Sequence, residues 1–133
     1  IEFGAGRMVI NDMLPDNCIY TPSDIVDRGK GTIVCDLNIK PLPEFDNYNV
    51  AVFSGVLEYI NDIPGLIRHL SPSTNTFIVS YAVLDFNADN RLEFGWVNSY
   101  NSMQFIEIFE SIGYHCECSE NWRTQVIYKF CKA

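Results

Sequence analysis

Hydrophobic positions along the chain gather in short runs of three to six residues, separated by polar stretches rich in glycine and proline. Only in two places do they follow the 3.6-residue stripe of an amphipathic helix. Residues 1–3 read as the end of a strand that runs into a turn over residues 4–6. Residues 8–14 can form a short helix, stopped by Pro15. A second strand is expected to begin at Cys18–Tyr20 and to reach Ser23 or Asp24, followed by a polar, glycine-rich turn over residues 27–31. The β-branched run 32–35 reads as a third strand. Residues 49–53 form a fourth, apolar enough to be expected buried on both faces.

From Ser54 onward, Val56, Leu57, Ile60, Ile63, Leu66, Ile67 and Leu70 approximate one helical stripe. Residues 61–64 interrupt it, with Asp62 placed to cap a second helix and Pro64 in its first turn. Residues 76–81 read as a fifth strand, 83–97 as a long connection, and 102–112 as a helix ending at Gly113. Residues 114–119 and 124–130 alternate like an antiparallel pair joined near Asn121. Strands alternating with helices predict an α/β fold with a mostly parallel sheet, closed by one antiparallel hairpin.

The composition narrows the class. In 133 residues, 47% are hydrophobic and 20% charged, as in a soluble globular domain and unlike a disordered chain. No apolar run approaches the roughly 18 residues of a membrane span, so no membrane association is expected. Nine basic against 17 acidic residues leave a net charge of −8, which disfavours nonspecific nucleic-acid binding. Five cysteines, an odd number without a CxxC pair, read as free thiols in a reducing cytoplasm, and Cys116 and Cys118 alone predict no metal site. The first residue is Ile1 and the glycine turn follows after only three residues. We therefore expect residues 1–133 to be one domain belonging to a longer chain that holds the rest of the first strand.

In parallel sheets of this kind, ligands sit at the carboxyl ends of the strands, where strand order reverses. Five segments qualify. Gly4-Ala5-Gly6, after Glu2-Phe3, lets backbone approach a ligand without an intervening Cβ, or simply makes a tight turn. Asp24 lies 22 residues beyond Glu2, a spacing suited to accepting both ribose hydroxyl protons, or to an ordinary cap or turn. Standing at a sheet edge with no evident structural partner, it is expected to matter little for folding. Asp36-Leu37-Asn38 offers a carboxylate and an apolar side chain suited to a purine, or an Asx turn. Ser54-Gly55 again exposes backbone, and Ser80-Tyr81 ends the fifth strand.

These segments, in this order, resemble the successive motifs of class I S-adenosylmethionine-dependent methyltransferases. The residues that carry the resemblance are Glu2-Phe3-Gly4-Ala5-Gly6, Asp24, Asp36-Leu37 and the run Asn49-Val50-Ala51-Val52-Phe53-Ser54-Gly55-Val56-Leu57-Glu58-Tyr59-Ile60. The resemblance covers nearly the whole chain. It implies a three-layer Rossmann-like sandwich with a seven-stranded sheet in the order 3-2-1-4-5-7-6 and strand seven antiparallel. It also implies S-adenosylmethionine as cofactor. Gly4, Ala5 and Gly6 would then lie under its methionine and ribose, with Glu2 hydrogen-bonded nearby. Asp24 would hold the ribose diol, and Ile25 would pack on adenine. Asp36 would face the adenine amino group beside Leu37, and Phe53, Ser54 and Gly55 would border the methionine moiety.

Two positions depart from the pattern: Met8 stands where the family commonly has a third glycine, and Tyr59 where it often has histidine. No catalytic residue is assigned. Tyr59, Tyr81, Asp85, Trp96 and Tyr100 are candidates for the acceptor side, while His69 and His115 read as structural. The activity expected is methyl transfer to a small-molecule acceptor. The alternative is a methyltransferase-like domain without catalysis, serving as a binding or scaffold module. A dinucleotide oxidoreductase is disfavoured, because Val9 occupies the position of the third fingerprint glycine.

Overall fold

A computed structural model describes residues 1–133. Seven strands form one sheet: β1 (Glu2–Phe3), β2 (Pro22–Asp24), β3 (Ile33–Val34), β4 (Val50–Phe53), β5 (Thr76–Tyr81), β6 (Tyr114–Trp122) and β7 (Gln125–Lys132). Their spatial order is β3-β2-β1-β4-β5-β7-β6. The first five pair in parallel, and β7 runs antiparallel to both β5 and β6. Sheet order and strand sense are those expected from the sequence.

Two helices, α1 (Ile63–Leu70) and α2 (Ser102–Glu110), cover one face. Asp62 caps α1 as expected, its Oδ1 accepting from the Gly65 nitrogen at 2.9 Å. Asn101 and Gln104 form a reciprocal capping box on α2. The buried stripe of α1, Ile63, Leu66, Ile67 and Leu70, meets an aromatic core. Within that core Phe3 stacks on Phe53 at 4.7 Å, Tyr81 on Phe105 at 4.2 Å and Phe109 on Phe130 at 3.9 Å. Each fully buried ring contributes on the order of 1.5–3 kcal/mol through removal of apolar surface from water.

Several local expectations are corrected. Residues 8–14 form only a 3-10 turn, Val9–Met13, because Met8 takes a left-handed conformation (φ 56°) and Pro15 leaves room for a single turn. The second strand does not begin at Cys18: Ile19 is 97% exposed, and pairing starts at Pro22. The stripe after Ser54 opens with a 3-10 turn, Leu57–Tyr59, and becomes α-helical only at Ile63. The last hairpin turns at Arg123-Thr124, with Trp122 paired to Gln125.

Strand β4 is buried on one face only. Ala51 and Phe53 are inaccessible, whereas Val50 and Val52 are half-buried. The reason is unequal cover. On the face opposite the helices, Ile10, Leu14 and residues 17–21 border a hollow of about 620 Å³ that Val50, Val52 and Ile78 also line. No helix is long and apolar enough to cross a membrane.

Candidate functional site

In the order β3-β2-β1-β4-β5 successive strands are added outward in one direction from β1 to β3 and in the other from β4 to β5, so a crevice lies at the carboxyl ends of the adjacent parallel strands β1 and β4. A cleft of about 310 Å³ opens at this place. Phe3 and Gly4 from the end of β1 line it, with Ser23, Asp24 and Ile25 from β2. Cys35, Asp36, Leu37 and Asn38 follow β3, and Gly55, Val56 and Tyr59 follow β4.

The glycine turn is held by packing beneath it. Gly4 has φ 66°, and a Cβ there would lie 2.4 Å from Val56 Cγ2, so no larger residue fits without displacing a wall of the cleft. Met8, at the position of the missing third glycine, keeps the left-handed conformation that glycine would favour. Its nitrogen donates to the Ala5 carbonyl at 2.7 Å, which closes the turn.

Asp24 is 6% exposed and faces the cleft. Its Oδ2 accepts from the Gly6 nitrogen at 2.9 Å, and its Oδ1 from the Val26 nitrogen at 3.3 Å. Arg28 approaches both oxygens, Nε at 3.1 Å from Oδ2 and Nη2 at 3.4 Å from Oδ1. Burial pushes the carboxyl pKa up, but the bonds from Gly6, Arg28 and Val26 together outweigh it and hold the group below its ordinary value. Asp24 is therefore ionised at neutral pH and has structural partners, contrary to the expectation of an unpartnered edge carboxylate.

Asp36 closes an Asx turn, its Oδ1 accepting from the Asn38 nitrogen at 2.9 Å. The Asn38 amide then bridges to the next wall, donating to the Tyr59 carbonyl and accepting from the Asn61 nitrogen. Leu37 is buried and Ile25 is 62% exposed, which gives the cleft two apolar surfaces flanked by two carboxylates.

Of the eleven residues expected at a cofactor site, Gly4, Asp24, Ile25, Asp36, Leu37 and Gly55 come together in this cleft. Gly6 joins through its bond to Asp24, and Ala5 is buried beneath the turn. Ser54 is exposed beside Gly55, and Phe53 is wholly buried in the core against Phe3. Glu2 does not join them. It lines the hollow on the opposite side of the sheet, where its carboxylate accepts from the Tyr20 hydroxyl. Burial raises its pKa despite that bond. The physical reason is alternation: Phe3 faces the helices, so its neighbour Glu2 faces the other way.

Beside the cleft lies a polar network that the sequence did not announce. Glu58 is 1% exposed; its Oε1 accepts from the Ala82 nitrogen at 2.7 Å, and its Oε2 is buried without a partner. Burial raises its pKa, against a smaller lowering by hydrogen bonds and the Arg91 charge. Arg91, 7% exposed, donates to the carbonyls of Ala82, Asn87 and Asn98 and to the Tyr81 hydroxyl. Its guanidinium also lies 4.9 Å from the Trp96 ring centre. These contacts fold the connection between β5 and α2 back onto the sheet, with Gly95 against the Tyr59 ring. The available signal was Glu58, a charge on the apolar stripe that opens at Val56.

No family model matches the sequence, and no curated protein matches it. Solved structures do match by shape. An S-adenosylmethionine-dependent methyltransferase from Mesorhizobium loti superposes with a TM-score of 0.75 at 13% identity, over 98% of this chain and 89% of that one. This chain has the class I S-adenosylmethionine-dependent methyltransferase fold. The methyltransferase fold is shared with 1,6-didemethyltoxoflavin-N1-methyltransferase of Burkholderia thailandensis, solved with 1,6-didemethyltoxoflavin and S-adenosylhomocysteine (TM-score 0.74, 13% identity, 99% of this chain, 69% of that one). The O-methyltransferase NcsB1 of neocarzinostatin biosynthesis, solved with S-adenosylmethionine and a naphthoic acid, gives 0.72 at 15% identity. There the match covers 99% of this chain but 48% of NcsB1, so this chain spans about half of that enzyme.

Proposed function

We propose that this chain is an S-adenosylmethionine-dependent methyltransferase acting on a small-molecule acceptor. The observation that carries the reading is the meeting of Gly4, Asp24, Asp36, Leu37 and Gly55 in one cleft at the reversal of strand order. The donor set fits an adenosyl group. Asp24 is an ionised acceptor for a vicinal diol, Ile25 and Leu37 are apolar surfaces for a purine, and Asp36 can accept from its amino group. Gly4 and Gly55 keep side chains out of the way of the rest of the molecule.

When bound, the cofactor supplies a methyl carbon activated by positive sulfur, and the products are S-adenosylhomocysteine and the methylated acceptor. The protein's task is orientation, which can supply much of the barrier reduction in an in-line displacement. The walls that hold the nucleoside fix one partner. The connection pinned by Arg91 meets the cleft wall where Gly95 lies against the ring of Tyr59, a cleft residue, and Gly95 stands between Phe94 and Trp96, whose rings are 4.9 Å apart. An uncharged acceptor suits this wall. Arg91, the basic residue of this connection, has its N–H groups committed to carbonyls and to Tyr81.

The enzymes solved with 1,6-didemethyltoxoflavin and with a naphthoic acid, which share the fold, support a small-molecule acceptor by analogy. Transfer of isotope from methyl-labelled S-adenosylmethionine to a pool of small metabolites tests the reading. Labelled product that depends on Asp24 is the expected result. Tight binding of S-adenosylhomocysteine with no transfer to any acceptor would establish the binding-module alternative instead.

A further inference from the structure

The carboxylate of Asp24 already accepts three hydrogen bonds and faces one ion-pair contact. A carboxylate offers about four lone-pair directions. Here three of them meet the Gly6 and Val26 nitrogens and the Nη2 of Arg28, and Arg28 Nε stands 3.1 Å from Oδ2 as an ion-pair contact. Two of these donors belong to the backbone of the turns on either side and cannot leave without unfolding them. The third donor and the ion-pair contact belong to one side chain. The Arg28 contacts, 3.1 and 3.4 Å, are longer than the roughly 2.7–2.9 Å of a strong charge-assisted bond, and the Arg28 side chain is 40% exposed.

We propose that Arg28 is an internal competitor for the nucleoside's ribose: its guanidinium donates to one oxygen of Asp24 and stands against the other, where a vicinal diol would approach, and it must swing into solvent for a nucleoside to bind. This rests on the nucleoside reading of the cleft given above. The backbone need not move. Arg28's own nitrogen is held by the Thr32 hydroxyl, and the turn behind it is closed by the bond from the Gly29 nitrogen to Asp27. Exchange is confined to the side chain, one ion pair being given up for two hydroxyl donors. Arg28 thereby sets cofactor affinity without touching the cofactor, and it returns to Asp24 when product leaves.

The signature is selective. Removing the competitor helps only ligands that use the diol. Exposed ion pairs are worth little, so the expected gain is about two- to fivefold in affinity. Calorimetric titration of Arg28→Ala and Arg28→Gln with S-adenosylhomocysteine, adenosine and 2′,3′-dideoxyadenosine makes the test. Both variants are expected to bind the first two more tightly than the parent and the dideoxy compound equally well. Unchanged or weaker binding of adenosine would overturn the proposal, since Arg28 would then be a bystander or would orient Asp24 for the ligand. An equal gain for all three ligands would also overturn it, pointing to general loosening of the cleft. A parent that binds S-adenosylhomocysteine, and loses it on Asp24→Ala, keeps the nucleoside reading whatever Arg28 does. A parent that binds none of the three overturns both.

Discussion

The Gly6 nitrogen donates to Asp24 Oδ2 at 2.9 Å, which joins the glycine turn after β1 to the carboxylate that ends β2. One side chain thus holds the floor of the cleft and presents its polar wall. Binding and folding are coupled at this residue.

Asp24→Ala is therefore expected to show two losses. S-adenosylhomocysteine affinity should fall about tenfold to a few hundredfold, as two charge-assisted contacts of roughly 1.5–3 kcal/mol each would suggest after partial compensation. Stability should fall by about 1–3 kcal/mol, because two backbone N–H groups lose their acceptor. The folded-state pKa of Asp24 lies below the ordinary 3.8, so its stabilising contribution is present above that pH and is lost as the pH falls through the folded value. Asp27→Ala is the control: Asp27 accepts only from Gly29 in an exposed turn, and affinity should stay nearly unchanged. Calorimetry and urea titration of both variants measure these effects.

Gly4→Ala should cost about 1–3 kcal/mol for two separable reasons, the positive φ and the clash with Val56. Adding Val56→Ala should recover the clash and leave the backbone cost. Urea midpoints of the single and double variants separate the two. A double variant no better than the single one would mean that backbone strain accounts for the whole effect.

Met8→Gly is expected to stabilise the protein by about 0.5–1 kcal/mol. Met8 sits at φ 56°, where a side chain is disfavoured by roughly 1–2 kcal/mol, and glycine's greater freedom when unfolded offsets part of the gain. A lowered urea midpoint would show that Met8 packing outweighs the strain.

Glu58 has a pKa raised above 4.5 by burial, so the folded state holds its proton more tightly than the unfolded state. Its contribution is most favourable below the ordinary pKa and declines as pH rises through the folded value. Glu58→Gln abolishes that titration while keeping an acceptor for the Ala82 nitrogen. The melting temperature of Glu58→Gln minus that of the parent should increase between about pH 4.5 and pH 8. A constant difference would mean that Arg91 compensates the charge fully.

How much of this was legible beforehand depended on the range of the interactions. Sheet order was expected from the resemblance to a known family, and the cleft residues Gly4, Asp24, Asp36, Leu37 and Gly55 were readable from their places just after successive strands. Strand lengths were not: β1, β2 and β3 pair over only two or three residues, and hydrophobicity at Cys18–Tyr20 did not signify pairing. The half-exposed face of β4 depends on which helices exist to cover it, a tertiary fact. Arg28 and Arg91 were missed because a long side chain's partner is set by the fold. Nothing in the spacing of Arg91 and Ala82 foretells a bond of 2.7 Å.

The central claim is that the cleft between β1, β2, β3 and β4 holds an adenosyl cofactor. Calorimetric titration of the 133-residue protein with S-adenosylhomocysteine, with NAD as comparison, tests it most directly. Saturable one-site binding of S-adenosylhomocysteine, weakened by Asp24→Ala, is expected, with no binding of NAD. Folded protein that takes up no S-adenosylhomocysteine at millimolar concentration, or that prefers NAD, would contradict it.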